Sequence, residues 1–112
     1  MIIENIKAIV SSYDGKPVKI QGMPGGDTGT TLKDFLIAAV NANKEGEKLS
    51  SAESYQRYQL GLDIYNAKSQ VDLESEDVAL IKEGIHIMFG HVPMVYGKLI
   101  DMIEPPKKVK EK

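Results

Sequence analysis

The chain has no cysteine in its 112 residues. That excludes a disulfide framework and thiolate metal sites, and it fits a reducing compartment. No window approaches 18 continuous apolar residues, so no membrane-spanning helix is expected. The N-terminus, MIIENIKAIV, sets Glu4 and Lys7 inside a short apolar run. It lacks the charged lead, long apolar stretch and small-residue cleavage site of a signal peptide. An excess of positive charge is also missing. The net charge is −2, whereas dedicated nucleic-acid binders usually show a basic face. No nucleophile–base pair, oxyanion loop or carboxylate dyad stands out, so an enzyme is not expected.

What is present is ordinary for a globular protein, at 42% apolar and 27% charged residues. A chain of this size supports one modest core. Residues 1–104 are expected to form a single α+β domain and residues 105–112 a mobile, lysine-rich tail.

The organising stretch runs from Asp72 to Ile103. Val78, Ile81, Ile85, Met88 and Val92 fall on one helical stripe. Leu80, Gly84 and Ile87 widen it to an arc of roughly 200°, where a surface helix needs only about 100°. That width predicts a central helix, or one serving a core and an interface together. Asp72 or Ser75 can cap it, and Glu76 and Asp77 suit its first turn. Gly90 supplies a stop and Pro93 opens a last helix to about Glu104, which Pro105-Pro106 ends.

Upstream, Ile2 to Val10 is rich in β-branched residues and predicts a strand. Asp14-Gly15 is a turn signal, and Val18 to Gln21 predicts a second strand, making a β-hairpin. Gly22 to Gly29 holds four glycines and a proline in eight residues, which predicts a loop. Thr30 or Thr31 can cap a helix reaching about Asn43, with Leu32, Phe35, Leu36, Ala39 and Val40 on its apolar face. Ser50 and Glu53 form a capping-box signature for a helix to about Ala67. One of its faces carries Tyr55, Tyr58, Leu62 and Tyr65, and nearly opposite lie Leu60, Ile64 and Ala67. Both faces are apolar, so this helix is sandwiched or shares an interface. Lys68-Ser69-Gln70 reads as a linker. The fold expected is α+β, mainly α, with an N-terminal β-hairpin packed on a bundle of three to four helices.

Each candidate site has a plainer alternative. Asp27-Thr28-Gly29 resembles the signature of retroviral-type aspartic proteases, but Pro24-Gly25-Gly26 precedes it where an apolar strand is needed. A loop aspartate beside helix-capping threonines is the reading adopted, and the match is treated as coincidental. The same loop sits between a strand and a helix, the setting of a phosphate loop, but no lysine stands beside the threonines at the Walker position. Gly25, Gly26, Thr28, Gly29, Thr30 and Thr31 are the candidate residues for an anion held by backbone amides. A plain connector is the simpler role. His86 and His91 are five apart and lack partners for a metal site, so no metal and no cofactor is expected. Tyr55, Tyr58 and Tyr65 could stack on bases, but only Arg57 is nearby. Packing at the core edge with hydroxyls reaching water accounts for them more simply. The helix from Met94 to Ile103 offers only Lys98, so it is not a DNA-reading helix. The lysines among residues 107–112 read as a solubilising end.

The segments DGKP, TLKDFLIAAVNA, RYQLGLDIYNAKSQVDLESEDVALIKEGI and MVYGKLIDMIE resemble, in that order, a group of small uncharacterised bacteriophage and prophage proteins. The similarity runs from about Tyr13 to Glu104. The loop Met23–Gly29 departs from it, being longer and richer in glycine than the family's short polar segment. The resemblance implies a viral origin and the cytoplasm of a bacterial host. It carries no catalytic residues.

The function expected is a non-enzymatic, phage-encoded protein-binding module acting through apolar helix faces, as an assembly factor or a modulator of a host process. Leu80, Gly84, Ile87, Tyr55, Tyr58 and Tyr65 are its candidate interface residues. The partner would be another phage or host protein or a second copy in a homodimer, not a membrane or a nucleic acid. The alternative is a small anion- or nucleotide-binding protein using residues 22–31 and the following helix start. Whether Leu80, Gly84 and Ile87 face the helix from Ser50 to Ala67 or a second subunit is left open by the sequence.

Overall fold

The computed structural model describes residues 1–25 and 28–105. The chain is α+β and mainly α, in the order β1 (Ile2–Glu4), α1 (Leu32–Val40), α2 (Ser51–Asn66), β2 (Gln70–Asp72), α3 (Ser75–Phe89) and α4 (Pro93–Ile103).

Strand pairing departs from expectation. β1 does not continue to Val10. It pairs antiparallel with β2, Ile3 opposite Val71, and β2 begins at Gln70, the last residue of the stretch read as a linker. Asn5 stops β1 by adopting a positive φ of 55°, a conformation that asparagine tolerates better than β-branched residues do. Residues beyond it lie along the start of α1. The amides of Leu32 and Lys33 donate to the carbonyls of Ala8 and Ile6, at 2.9 and 2.6 Å, and Val10 donates to Thr30 at 3.0 Å. The chain does turn back at Asp14-Gly15, where Gly15 takes φ 83°. The Ser12 amide donates to Lys16 and that of Val18 to Val10. The Asp14 carboxylate accepts from the Ser12 hydroxyl and the Lys16 amide. This hairpin carries one bridge, Ser11 to Pro17, and residues 18–21 form no regular strand.

The helices start where their caps put them. Thr31 caps α1, its hydroxyl accepting from the Asp34 amide at 3.2 Å. The Ser50–Glu53 capping box is complete at the head of α2. α3 corrects the sequence reading: neither Asp72 nor Ser75 caps it, and Glu74 holds the cap position without a side-chain bond. Pro93 opens α4.

α1 packs against both α2 and α3, and α4 packs against α3 and β1. The centre is therefore shared by α1 and α3. One cluster of buried apolar side chains draws on all six elements, including Ile3, Phe35, Ile64, Val71, Ile85 and Leu99. Phe35 and Phe89 meet edge to face with ring centres 5.6 Å apart. Phe89 takes the buried place expected of Met88 and Val92, which are half-buried. The expected tail falls almost wholly on residues 106–112, outside the described residues.

Candidate functional site

α2 presents the most distinctive surface. Its capping box fixes where the helix begins, and Leu60 and Ile64 fix its rotation by burying one face. With 3.6 residues per turn, the opposite face must then carry Tyr55, Tyr58, Leu62 and Tyr65. They are 60, 59, 43 and 66% exposed. Core-edge packing does not describe these tyrosines: they stand in solvent. Tyr55 and Tyr58 stack with ring centres 6.0 Å apart and planes 29° apart.

Between this stripe and α1 runs a shallow groove of about 230 Å³, lined by Ile37, Asn41, Arg57, Tyr58, Gly61, Leu62 and Tyr65. Its cationic neighbours are already engaged. Arg57 donates to the Ala42 carbonyl and to Asn43 Oδ1, both at 2.9 Å, and pairs with Glu47 at 3.7 Å. Lys33 donates to the carbonyls of Tyr65 (2.8 Å) and Ala67 (2.5 Å), closing the C-terminal end of α2. Its ammonium also lies 5.8 Å from the centre of the Tyr65 ring. A basic groove that could follow a phosphate backbone is therefore not offered by these two residues. What the stripe offers is amphipathic contact area with little side-chain entropy to lose.

The six expected interface residues do not form one surface. The three tyrosines share the α2 stripe, and Leu62 belongs with them. Leu62 is not among the six candidates, although the i, i+3, i+7, i+10 spacing includes it. Gly84 is buried and is not an interface residue. It is the point where α3 touches α1, since a Cβ there would lie 2.7 Å from the Ala39 carbonyl carbon. Leu80 is half-buried against the core, and Ile87 is half-buried. The open question about that trio is thus answered for Gly84 alone: it faces α1.

The glycine-rich loop is built for packing. Thr28 donates its amide and hydroxyl to the Gly25 carbonyl, at 3.0 and 2.6 Å. The buried Thr30 hydroxyl donates to Pro24 at 2.8 Å. Gly29 lies under Pro17 and Ile9, where a Cβ would come within 2.6 Å of Pro17 Cβ. The Thr31 hydroxyl bridges to Asp34. The amides of residues 32 to 35 all have protein acceptors, so the start of α1 has no first-turn donors left for an anion. Gly26 and Asp27, and with them the protease-like aspartate, lie outside the described residues.

His86 and His91 are both exposed. Among the described residues, no group of three or more His, Cys, Asp or Glu side chains is arranged to hold a metal ion. Among them, too, no helix is long and apolar enough to cross a membrane. No family model, curated protein or solved structure matches this chain.

Proposed function

We propose that the protein is a non-enzymatic binding module that recognises another protein through the exposed face of α2. One observation carries this reading: four large side chains, three of them aromatic, stand in solvent along a single helix face whose opposite side is locked into the core. Tyrosine is enriched at protein interfaces because it offers a flat apolar ring and a hydroxyl that finds a partner. The likeness of several segments to small phage proteins supports placing this activity in a bacterial cytoplasm, in assembly or in modulation of a host process. The anion-binding alternative has less to stand on, since the Thr28 amide and the first-turn amides of α1 already have protein acceptors.

The test compares the wild-type chain with a Tyr58→Ser/Tyr65→Ser variant, each immobilised and exposed to bacterial lysate. Circular dichroism should be the same for both, because the replaced side chains are exposed. The reading expects a retained protein that the variant loses and that a Lys98→Ser surface control keeps. Equal retention by all three chains refutes a binding role for the stripe.

A further inference from the structure

We infer that the α2 stripe is a self-complementary seam whose occupant is the same helix of a second copy, antiparallel and related by a two-fold axis at the height of residue 60. This rests on the reading of α2 as a binding face and names its partner.

The spacing of Tyr55, Tyr58, Leu62 and Tyr65 is three, four, three. That is the a–d–a–d pattern of a coiled-coil seam, narrower than the stripe of a helix lying on a globular core. It reads the same in both directions about residue 60. In an antiparallel pair, each a position meets a d position of the other helix. Tyr55 then meets Tyr65 of the second copy and Tyr58 meets its Leu62, so every layer pairs two large apolar side chains. A two-fold interface must be self-complementary in this way.

Charge distribution points to the same occupant. The positions flanking the seam are Ser54, Gln59, Gly61 and Asn66, all uncharged, in a chain that is 27% charged. The three charged residues of α2, Glu53, Arg57 and Asp63, all lie off the seam and its flanks. Along the seam and its flanks α2 therefore sets no like charges against a second copy of itself, which would otherwise weaken self-association. Gly61, beside the axis, has open space where a Cβ would stand, which lets the helices approach. Because α2 is already folded on its own core, pairing need not supply the cost of forming a helix.

Area sets the strength. At the observed exposures the four side chains offer roughly 400 Å² per copy, from about 200 Å² for a whole aromatic residue. Two copies together fall below the ~1,200 Å² of stable complexes. The pair should be reversible, with a dissociation constant in the micromolar range or weaker.

The experiment has two arms. Sedimentation equilibrium of the wild-type chain, from about 10 μM to about 1 mM, should show monomer passing to dimer. Leu62→Glu, which sets a carboxylate against Tyr58 twice by symmetry, should weaken dimerisation by about 100-fold or more. The second arm uses the absence of native cysteine. Ideal helices 8–10 Å apart place Cα of residue 58 about 5 Å from that of residue 62 of the second copy, within disulfide reach, but about 7–8 Å from its own counterpart. Mixed under a glutathione buffer, Tyr58→Cys and Leu62→Cys chains should form a heterodimeric disulfide in excess over either homodimer. A wild-type chain that stays monomeric throughout overturns the pairing, while the lysate comparison still judges the wider reading separately. A dimer insensitive to Leu62→Glu overturns its location, and cross-linking dominated by 58 to 58 overturns its register.

Discussion

Gly84→Ala adds one methyl group at the closest approach of α3 to α1. The new Cβ would lie 2.7 Å from the Ala39 carbonyl carbon and 2.9 Å from its Cα, where ordinary contacts run 3.4–4 Å. The obstacle is backbone, so no rotamer change relieves it. The Ala39 carbonyl oxygen is nearer still, so the helices must part by about 1 Å, and a gap of that size forfeits about half of the dispersion attraction across it. The side chains affected include Phe35, Leu36, Ile81 and Ile85, all fully buried. Overpacking of this kind costs about 1–3 kcal/mol, and an unyielding backbone places the cost near the top of that range. Alanine returns about 1 kcal/mol as the better helix former. The net loss is about 2 kcal/mol.

Gly97→Ala is the matched control, since Gly97 also lies within a helix but has nothing within 4 Å of the added Cβ. It should gain about 0.5–1 kcal/mol from helix propensity alone. Urea unfolding at one temperature, with the slopes compared to confirm an unchanged transition, reads both values. The same substitution in two helices should therefore differ by about 3 kcal/mol in effect. A Gly84→Ala chain as stable as wild type, or one that tracks Gly97→Ala, would refute the close approach of α1 and α3.

Three further outcomes are expected. Thr31→Ala should cost about 1 kcal/mol in urea unfolding, because the Asp34 amide loses its cap at the head of α1. Lys33→Met keeps the apolar stem but removes the ammonium from the Tyr65 and Ala67 carbonyls, and should lower stability by about 1–2 kcal/mol. An unchanged midpoint would show that water replaces the ammonium without cost. The Glu53 carboxyl is held below its ordinary value of 4.5 by hydrogen bonds from the Ser50 amide and then the Ser50 hydroxyl. A folded-state pKa below the unfolded one contributes stability that is fully present above the unfolded value and is lost as pH falls through the folded value. Unfolding followed from pH 7 downward should thus weaken below about 4.5, and Glu53→Gln should flatten that part of the profile. Parallel profiles for the two chains would contradict the capping-box assignment.

The helices were legible because their signals are local. A threonine before an apolar period, a serine three residues ahead of glutamate, and a proline after a glycine each act within one turn. The sheet was not. β1 pairs with a partner about 70 positions away, and three-residue strands carry too little alternation to announce themselves. Asp14-Gly15 does reverse the chain, but the pairing on either side of it is a single bridge, shorter than the strands expected there. A turn signal fixes where the chain reverses, while the length of pairing depends on what else competes for the amides. Here Ile6, Ala8 and Val10 give their hydrogen bonds to residues 30–33 and Ser69 as well as to the turn. The same segment takes up the Leu32 and Lys33 amides at the start of α1.

The two over-apolar helices resolved in opposite directions, and the difference lies in side-chain type. On α3 the surplus positions were Leu80, Gly84 and Ile87. A glycine within a helical apolar arc lowers helix stability, so it needs a reason, and the reason is backbone contact with α1. The arc therefore turned inward, around a site where only hydrogen fits. On α2 the surplus positions were tyrosines, which carry a hydroxyl that must find a partner if buried. The helix buries Leu60 and Ile64 instead and leaves the rings outside. Total apolar width could not separate these outcomes. The residue that is small enough to admit a neighbouring backbone and the residue that is too polar to be covered by its own chain do separate them. By that criterion α2 keeps an exposed aromatic face, while the α3 arc turns toward the core around Gly84.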